Sequence, residues 1–133
     1  MNSEFGAGLN ALRMQNGAND VFYDATVGRA AQIHANDMYT NDHLSIFLGD
    51  DPTAFDMGDT LAQTLGMDWN EIGQYIAKGD YDTDTVLTEW ETNGSQGDGD
   101  NADKLTFTNM DLFGIAKAGS GTDSRWVLLL VDN

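Results

Sequence analysis

The sequence ends with an uninterrupted apolar segment, Val127 to Val131. A strand with one face in solvent alternates apolar and polar residues, whereas a strand covered on both faces is apolar throughout. Trp126 to Val131 therefore predicts a buried strand, in a sheet that has a covering layer on each side. No other feature of the sequence restricts the possible folds as strongly.

Helical patterns earlier in the chain can supply these layers. Asp24 is suited to cap a helix that runs to about Tyr39. The inward positions of this helix recur every three or four residues, as on one buried face: Val27, Ala31, His34 and Met38. Other helices are predicted at Leu9 to Met14, at Thr60 to Leu65, and from Asp82 or Asp84 to about Thr92.

Two further extended segments complete the predicted sheet, Ile72 to Ala77 and Leu112 to Lys117. Gly119 to Asp123 has the composition of a hairpin turn before the last strand. We predict an α+β fold, a three-layer α-β-α sandwich with a small antiparallel sheet. Residues 1–8 are interpreted as a leader or as residues added in cloning, and residues 9–133 as a single domain.

The charge of the chain excludes some partners. Its 22 acidic residues face only six Lys and Arg, which leaves a net charge of −16. Such a surface repels phosphate backbones, so we expect no nucleic-acid partner. No apolar segment approaches the roughly 20 residues of a membrane helix, so we expect no membrane insertion. The acidity is interpreted mainly as solubility in salt, with binding of a divalent cation as the alternative.

Several blocks of sequence, in this order, resemble bacterial SCP-like members of the CAP superfamily of cysteine-rich secretory, antigen and pathogenesis-related proteins. They are LNALRMQNG, YDATVGRAAQIHANDMYTN, LGMDWNEIGQYIAKG, TDTVLTEWETN, and FGIAKAG followed by RWVLLLV. The blocks extend from Leu9 to Val131. The resemblance implies a CAP-like α-β-α fold and a secreted, extracellular protein whose signal peptide is not part of this sequence.

Members of this family usually carry a cleft with two His and two acids, which in many of them binds a divalent metal. The first His matches Ile46, after Ser45, and the Glu of the family's G-E-N-I motif matches Gln74. The second acid matches Asn93, and the second His falls near Gln96 or in the loop that follows, where Gly94 to Leu105 contains no His. Ile46 has no donor atom, and neutral amides hold transition metals poorly. We therefore expect no metal in the cleft and no cofactor.

Other side chains remain candidates for the same cleft. His43 is the imidazole that could still reach it, whereas His34 is expected to be a hydrogen-bonded core residue. Tyr75 stands where the family usually has Asn and could line a groove for an apolar or peptide ligand. The full set of candidate cleft residues is His43, Ser45, Ile46, Gln74, Tyr75, Asn93 and Gln96.

Calcium is the other ion to consider. Acids from Asp80 to Glu91 match acidic positions of an EF-hand loop, but Thr85 replaces the required Gly, so we interpret this segment as a capped helix. A later loop is freer to gather oxygen atoms around calcium, and its weak candidates are Asp98, Asp100, Asn101 and Asp103.

The function that these observations favour is a non-catalytic extracellular binding or interaction module on a CAP scaffold with a degenerate metal cleft. No Ser lies in a G-x-S-x-G turn and the chain has no Cys, which removes two common nucleophiles. The partner would be a protein, a peptide or a small apolar ligand. Two alternatives stay open: a calcium-dependent extracellular module and a metal-dependent hydrolase of the CAP type.

Overall fold

The computed structural model describes residues 1–97 and 105–133. Its helices are α1 (Asn2–Gln15), α2 (Ala25–Thr40), α3 (Met57–Asp59, continued by a π-helical turn at Thr60–Thr64) and α4 (Thr83–Asn93). Its strands are β1 (Phe22–Tyr23), β2 (Glu71–Lys78), β3 (Leu112–Ala118) and β4 (Arg125–Asp132). None of the helices in these ranges is both long and apolar enough to cross a membrane.

The four strands form one sheet in the order β1-β3-β4-β2. Strand β4 lies between β3 and β2 and pairs antiparallel with both. Strand β1 pairs parallel with β3, with Phe22 opposite Leu112. The predicted antiparallel sheet is thus confirmed for the three long strands, and the short parallel β1 is an addition at its edge.

The buried position of β4 explains its apolar sequence. Alternate residues enter the two cores: Leu128 and Leu130 face the core that contains Trp90 of α4, while Leu129 and Val131 face the core that contains Val27 of α2. The middle of a strand that contributes to two cores has no position for a polar side chain, and the charged residues of β4 stand at its two ends, Arg125 and Asp132. The α-β-α sandwich predicted from this segment is therefore confirmed.

Helix α1 begins earlier than predicted, at Asn2 instead of Leu9. The reason is Phe5, which is 1% exposed and packs with its ring centroid 6.1 Å from the rings of both Trp90 and Phe113. A single aromatic residue among small and polar neighbours gives no helical periodicity, so the pattern starts only at Leu9. Whatever the origin of residues 1–8, Phe5 belongs to the core.

Two of the predicted caps are confirmed. The Asp24 carboxylate accepts hydrogen bonds from the backbone N–H groups of Thr26 (2.9 Å) and Val27 (3.0 Å) at the start of α2. Asp82 begins α4 through a reciprocal capping box with Thr85. The acids that resemble an EF-hand loop therefore begin and continue a helix.

Candidate functional site

The candidate cleft lies where the loop after α2, strand β2 and the turn after α4 come together. A Cβ atom added at Gly97 would lie 2.5 Å from the carbonyl oxygen of Leu44 and 3.3 Å from Cδ1 of Ile76. Gly97 also has a φ of +64°, a conformation that favours glycine. The three segments are therefore in close contact, and only glycine fits at this point.

The loop after α2 is fixed by His34. This residue is 1% exposed, and its Nε2 lies 2.5 Å from the carbonyl oxygen of Ser45. Because a carbonyl oxygen can only accept, Nε2 carries the proton and donates. The hydroxyl of Ser45 accepts a hydrogen bond from the N–H of Phe47, at 3.1 Å. His34 is thus a hydrogen-bonded core residue that holds Ser45 in place.

His43 is oriented by Asp37, a residue that sequence reasoning did not single out. The Nε2 atom of His43 lies 2.7 Å from Oδ2 of Asp37. Asp37 also accepts hydrogen bonds from the N–H of Gly49 (2.7 Å) and the amide of Asn41 (2.8 Å). Asp37 lies on the polar side of α2, near the end of the helix, and His43 follows just after that end. This short separation in sequence is the signal that could have indicated the pair.

The protonation of Asp37 follows from these contacts. Burial is the largest influence on the pKa of Asp37 and raises it, but the hydrogen bonds from Gly49, His43 and Asn41 together outweigh burial. The net shift lowers the pKa below its ordinary value. Asp37 is therefore a carboxylate at neutral pH and serves as a hydrogen-bond acceptor.

The two imidazoles come close together. The ring centroids of His34 and His43 are 6.3 Å apart, with the ring planes at 85°. Within residues 1–97 and 105–133, however, no group of three or more His, Cys, Asp and Glu side chains could hold a metal ion. Among the same residues, Nε2 of His43 pairs with Asp37, and the buried Nδ1 of His43 has no hydrogen-bond partner.

Gln74 and Tyr75 lie on opposite faces of β2. Gln74 shares a face with Ile76, on the side of α2, and is 8% exposed. Tyr75 is fully buried in the other core, with its ring 6.0 Å from that of Trp90 and its hydroxyl accepting the N–H of Leu105 at 3.1 Å. The interpretation of Tyr75 as a cleft residue is therefore corrected: it is a core residue.

Ser95 and Gln96 extend the edge of the sheet beside β2. The hydroxyl of Ser95 accepts the N–H of Ile76 at 2.8 Å, and the N–H of Gln96 donates to the carbonyl oxygen of Ile76 at 2.9 Å. The side-chain oxygen of Gln96 then accepts the N–H of Lys78 at 2.9 Å. Gln96 therefore serves as an edge partner of β2 and is only partly exposed.

The amide groups of Asn93 and Gln96 both contact Glu89. Asn93 is exposed and donates to Oε1 of Glu89 at 3.0 Å, and Gln96 donates to Oε2 at 3.3 Å and to the hydroxyl of Tyr81 at 3.1 Å. These contacts lie along α4. The structure therefore brings His43 and Ser45 together with His34, while Asn93 and Gln96 form a separate group around Glu89.

Comparison with known proteins now identifies the family. The sequence model of the cysteine-rich secretory protein family, CAP, matches residues 7–130, nearly the whole chain. The chain belongs to the CAP family. The resemblance seen in the sequence blocks is thus confirmed. Among curated proteins, the comparison finds no match.

Solved structures with the CAP fold are similar over almost the whole chain. An outer surface protein of Borrelia burgdorferi has a TM-score of 0.78 at 15% identity, covering 98% of this chain and 91% of that protein. An extracellular protein with an SCP domain from Bacillus anthracis has a TM-score of 0.75 at 18% identity, covering 98% and 40%. A cysteine-rich secretory protein of Staphylococcus aureus has a TM-score of 0.67 at 12% identity, covering 99% and 38%.

The four residues that the sequence resemblance assigns to the CAP cleft positions, Ile46, Gln74, Asn93 and Gln96, include no imidazole and no carboxylate. Ile46 packs against the core on the side of α2 and offers no donor. Gln74 on β2, Asn93 at the end of α4 and Gln96 beyond it carry only neutral amides, which need an anionic or imidazole partner to hold a transition metal. The calcium candidates Asp98, Asp100, Asn101 and Asp103 lie outside the described residues.

Proposed function

We propose that this CAP domain is an extracellular binding module that functions without catalysis and without a metal ion in its cleft. The observation that carries the proposal is the side-chain chemistry of the cleft positions. One of them is the hydrocarbon Ile46, and the amides of Asn93 and Gln96 are hydrogen-bonded to Glu89. A metal-binding cleft needs side chains whose donor atoms converge on one point.

An extracellular location is supported by the family and by its relatives. The matching structures include proteins described as an outer surface protein, an extracellular protein and a cysteine-rich secretory protein. Because this chain spans less than half of the Bacillus and Staphylococcus proteins, the domain can act as one part of a larger surface protein. Its partner would then be a protein, a peptide or a small apolar ligand.

Zinc binding tests this proposal directly. We expect the purified protein, after dialysis against a chelator, to show no saturable zinc binding by calorimetry and no rise in melting temperature with zinc, because a bound ligand stabilises the folded state. The matched control is Ile46→His combined with Gln74→Glu, which restores two ligand types at the CAP positions. We expect this variant to gain measurable zinc binding.

The result that overturns the proposal is zinc binding by the unmodified protein at about one ion per chain that is lost on replacing His43 by Ala. A metal-dependent hydrolase of the CAP type needs such a site, so the same measurement bears on that alternative. Calcium requires a separate titration. A rise in melting temperature with calcium that Asp100→Asn abolishes would favour the calcium-dependent module.

A further inference from the structure

A second site lies at the carboxyl end of α2, apart from the residues that correspond to the CAP cleft. It is an open depression of about 490 Å³, which we call the Tyr39 pocket. Its lining comes from the end of α2, from the loop that follows and from the start of β4: Tyr39, Thr40, Asp42, Asp123 and Arg125. The sequence patterns gave none of these residues as a candidate for binding.

The aromatic wall of the pocket is Tyr39, which is partly exposed and packs against the backbone of Gly119. Tyr39 is 46% exposed. A Cβ atom at Gly119 would overlap its ring, so the ring lies directly against the Gly119 backbone. The face of an aromatic ring that is held in this way is a favourable surface for an organic cation.

The floor of the pocket is Arg125, whose charge is already matched by protein oxygens. The side chain is 2% exposed. Its Nε donates to the carbonyl oxygen of His43 (3.0 Å), one terminal nitrogen to that of Asp123 (2.5 Å), and the other to Oδ1 of Asp42 (2.7 Å). Arg125 therefore holds Asp42 in place while the Asp42 side chain remains 85% exposed.

The electrostatics of the pocket favour a cation. Two carboxylates and one guanidinium line it, and the Asp123 side chain is 75% exposed. Lys78 approaches Asp123 to 3.9 Å, too far for a hydrogen bond, and is itself 41% exposed. With Lys78 included, the two positive and two negative formal charges around the pocket cancel. The sign of the electrostatic potential in the pocket is then set by the negative end of the α2 dipole and by the net charge of −16 on the chain, and both favour a cation.

We propose that the Tyr39 pocket binds an organic cation, an ammonium or guanidinium group. The charged group lies between the carboxylates of Asp42 and Asp123, and the hydrocarbon or planar part lies against the ring of Tyr39. A lysine or arginine side chain of a partner protein and a small free amine share this chemistry. The pocket shares no lining residue with the candidate cleft, although Arg125 contacts the backbone of His43. Cation binding here requires neither the presence nor the absence of a metal in the cleft, so the failure of either proposal leaves the other standing.

A nuclear magnetic resonance titration of the ¹⁵N-labelled protein tests the site. The probe is glycyl-lysyl-glycine with both termini blocked, and the neutral control is the same peptide with glutamine in place of lysine. We expect saturable shifts of the Nε–H signal of Arg125 and of the backbone signals of Asp42 and Asp123 with the lysyl peptide alone. A parallel titration with n-butylammonium separates the two sources: equal affinity indicates a free amine, and tighter binding of the peptide indicates a protein side chain.

Two variants and a charge-matched control make the result decisive. We expect Tyr39→Leu and Asp123→Asn each to weaken binding by about threefold, because one removes the aromatic face and the other a carboxylate. Glu91→Gln removes the same charge from exposed α4, on the opposite side of the sheet, and should leave binding unchanged. Shifts spread over the whole acidic surface, equal weakening in the control, or no saturable shift at tens of millimolar peptide would overturn the proposal.

Discussion

Arg13 shows how a single residue can join segments that are distant in sequence. It is fully buried in α1, and its guanidinium donates to the carbonyl oxygens of Asn19 (2.8 Å), Leu105 (2.8 Å) and Phe107 (2.9 Å). Burial lowers the pKa of Arg13, and the nearby Asp20 opposes this shift. The residue therefore connects the loop after α1 with the segment that precedes β3.

Replacing Arg13 by Met should destabilise the protein strongly. The variant keeps much of the buried side-chain volume but removes the hydrogen bonds that the guanidinium donates to three carbonyl oxygens, so we expect a loss of about 3 kcal/mol in the free energy of unfolding. Urea denaturation measures it as a lower midpoint with an unchanged slope. Arg29→Met, on the exposed face of α2, is the control and should cost less than about 0.5 kcal/mol. Similar losses in both variants would contradict the structural role of Arg13.

Sequence reasoning succeeded at residues whose role follows from local pattern. His34 could be assigned to the core because it shares the period of Val27 and Met38 on α2. Tyr75 was placed in the cleft because it stands where the family usually has Asn, yet it lies on the face of β2 opposite to Gln74 and is buried in the core. Asp37 was missed because its contacts with His43 and Gly49 form only when the chain turns back after the helix.

At the scale of elements, the packing of α2 on β3 depends on the absence of a side chain. A Cβ atom at Gly114 in β3 would lie 2.5 Å from both the nitrogen of Gly28 and the carbonyl carbon of Val27. These are backbone atoms of α2, so no rotamer change can relieve the contact. The helix can approach the sheet this closely only because Gly114 is a glycine.

Gly114→Ala should therefore separate α2 from the sheet and cost about 3 kcal/mol, at the upper end of overpacking effects. The control is Gly8→Ala in α1, where the added carbon would meet only the movable Cδ2 of Leu87 at 3.3 Å. This control should be neutral or slightly stabilising, since alanine is the better helix former. Thermal unfolding of the two variants measures the difference. A small effect of Gly114→Ala would show that the helix can shift at no cost.

The helices and strands could be predicted where the segment is long enough for its apolar residues to repeat at a regular spacing. Helix α2 and strands β2, β3 and β4 agree with the segments expected from the sequence, because each has enough residues to show its period. Strand β1 was not predicted, since two residues carry no alternation. Its pairing depends on residues that are distant in sequence. The N–H of Phe22 donates to the carbonyl oxygen of Asp111, and the N–H of Asp24 donates to the carbonyl oxygen of Phe113, both at 3.0 Å.

For the whole molecule, the packing of the sandwich stabilises the folded state and the surface charge destabilises it. The two cores on either side of β4 favour folding, whereas the net charge of −16 is concentrated when the chain becomes compact. The two cores consist of apolar and aromatic residues and include no acid. Charge could therefore be read directly from the sequence as a property of the surface, while the shape of the cleft could not, because it depends on how loops pack.

Salt should stabilise this protein by screening that repulsion. Raising sodium chloride from about 0.05 to about 1 M shortens the screening length to roughly 3 Å, and we expect the melting temperature to rise by several degrees. Salt also strengthens apolar burial, so the comparison needs a variant with fewer charges. Asp68→Asn, Asp80→Asn and Glu91→Gln combined remove charges from exposed positions. This variant should melt higher than the original at low salt and gain less from added salt, and an equal gain would show that screening is not the cause.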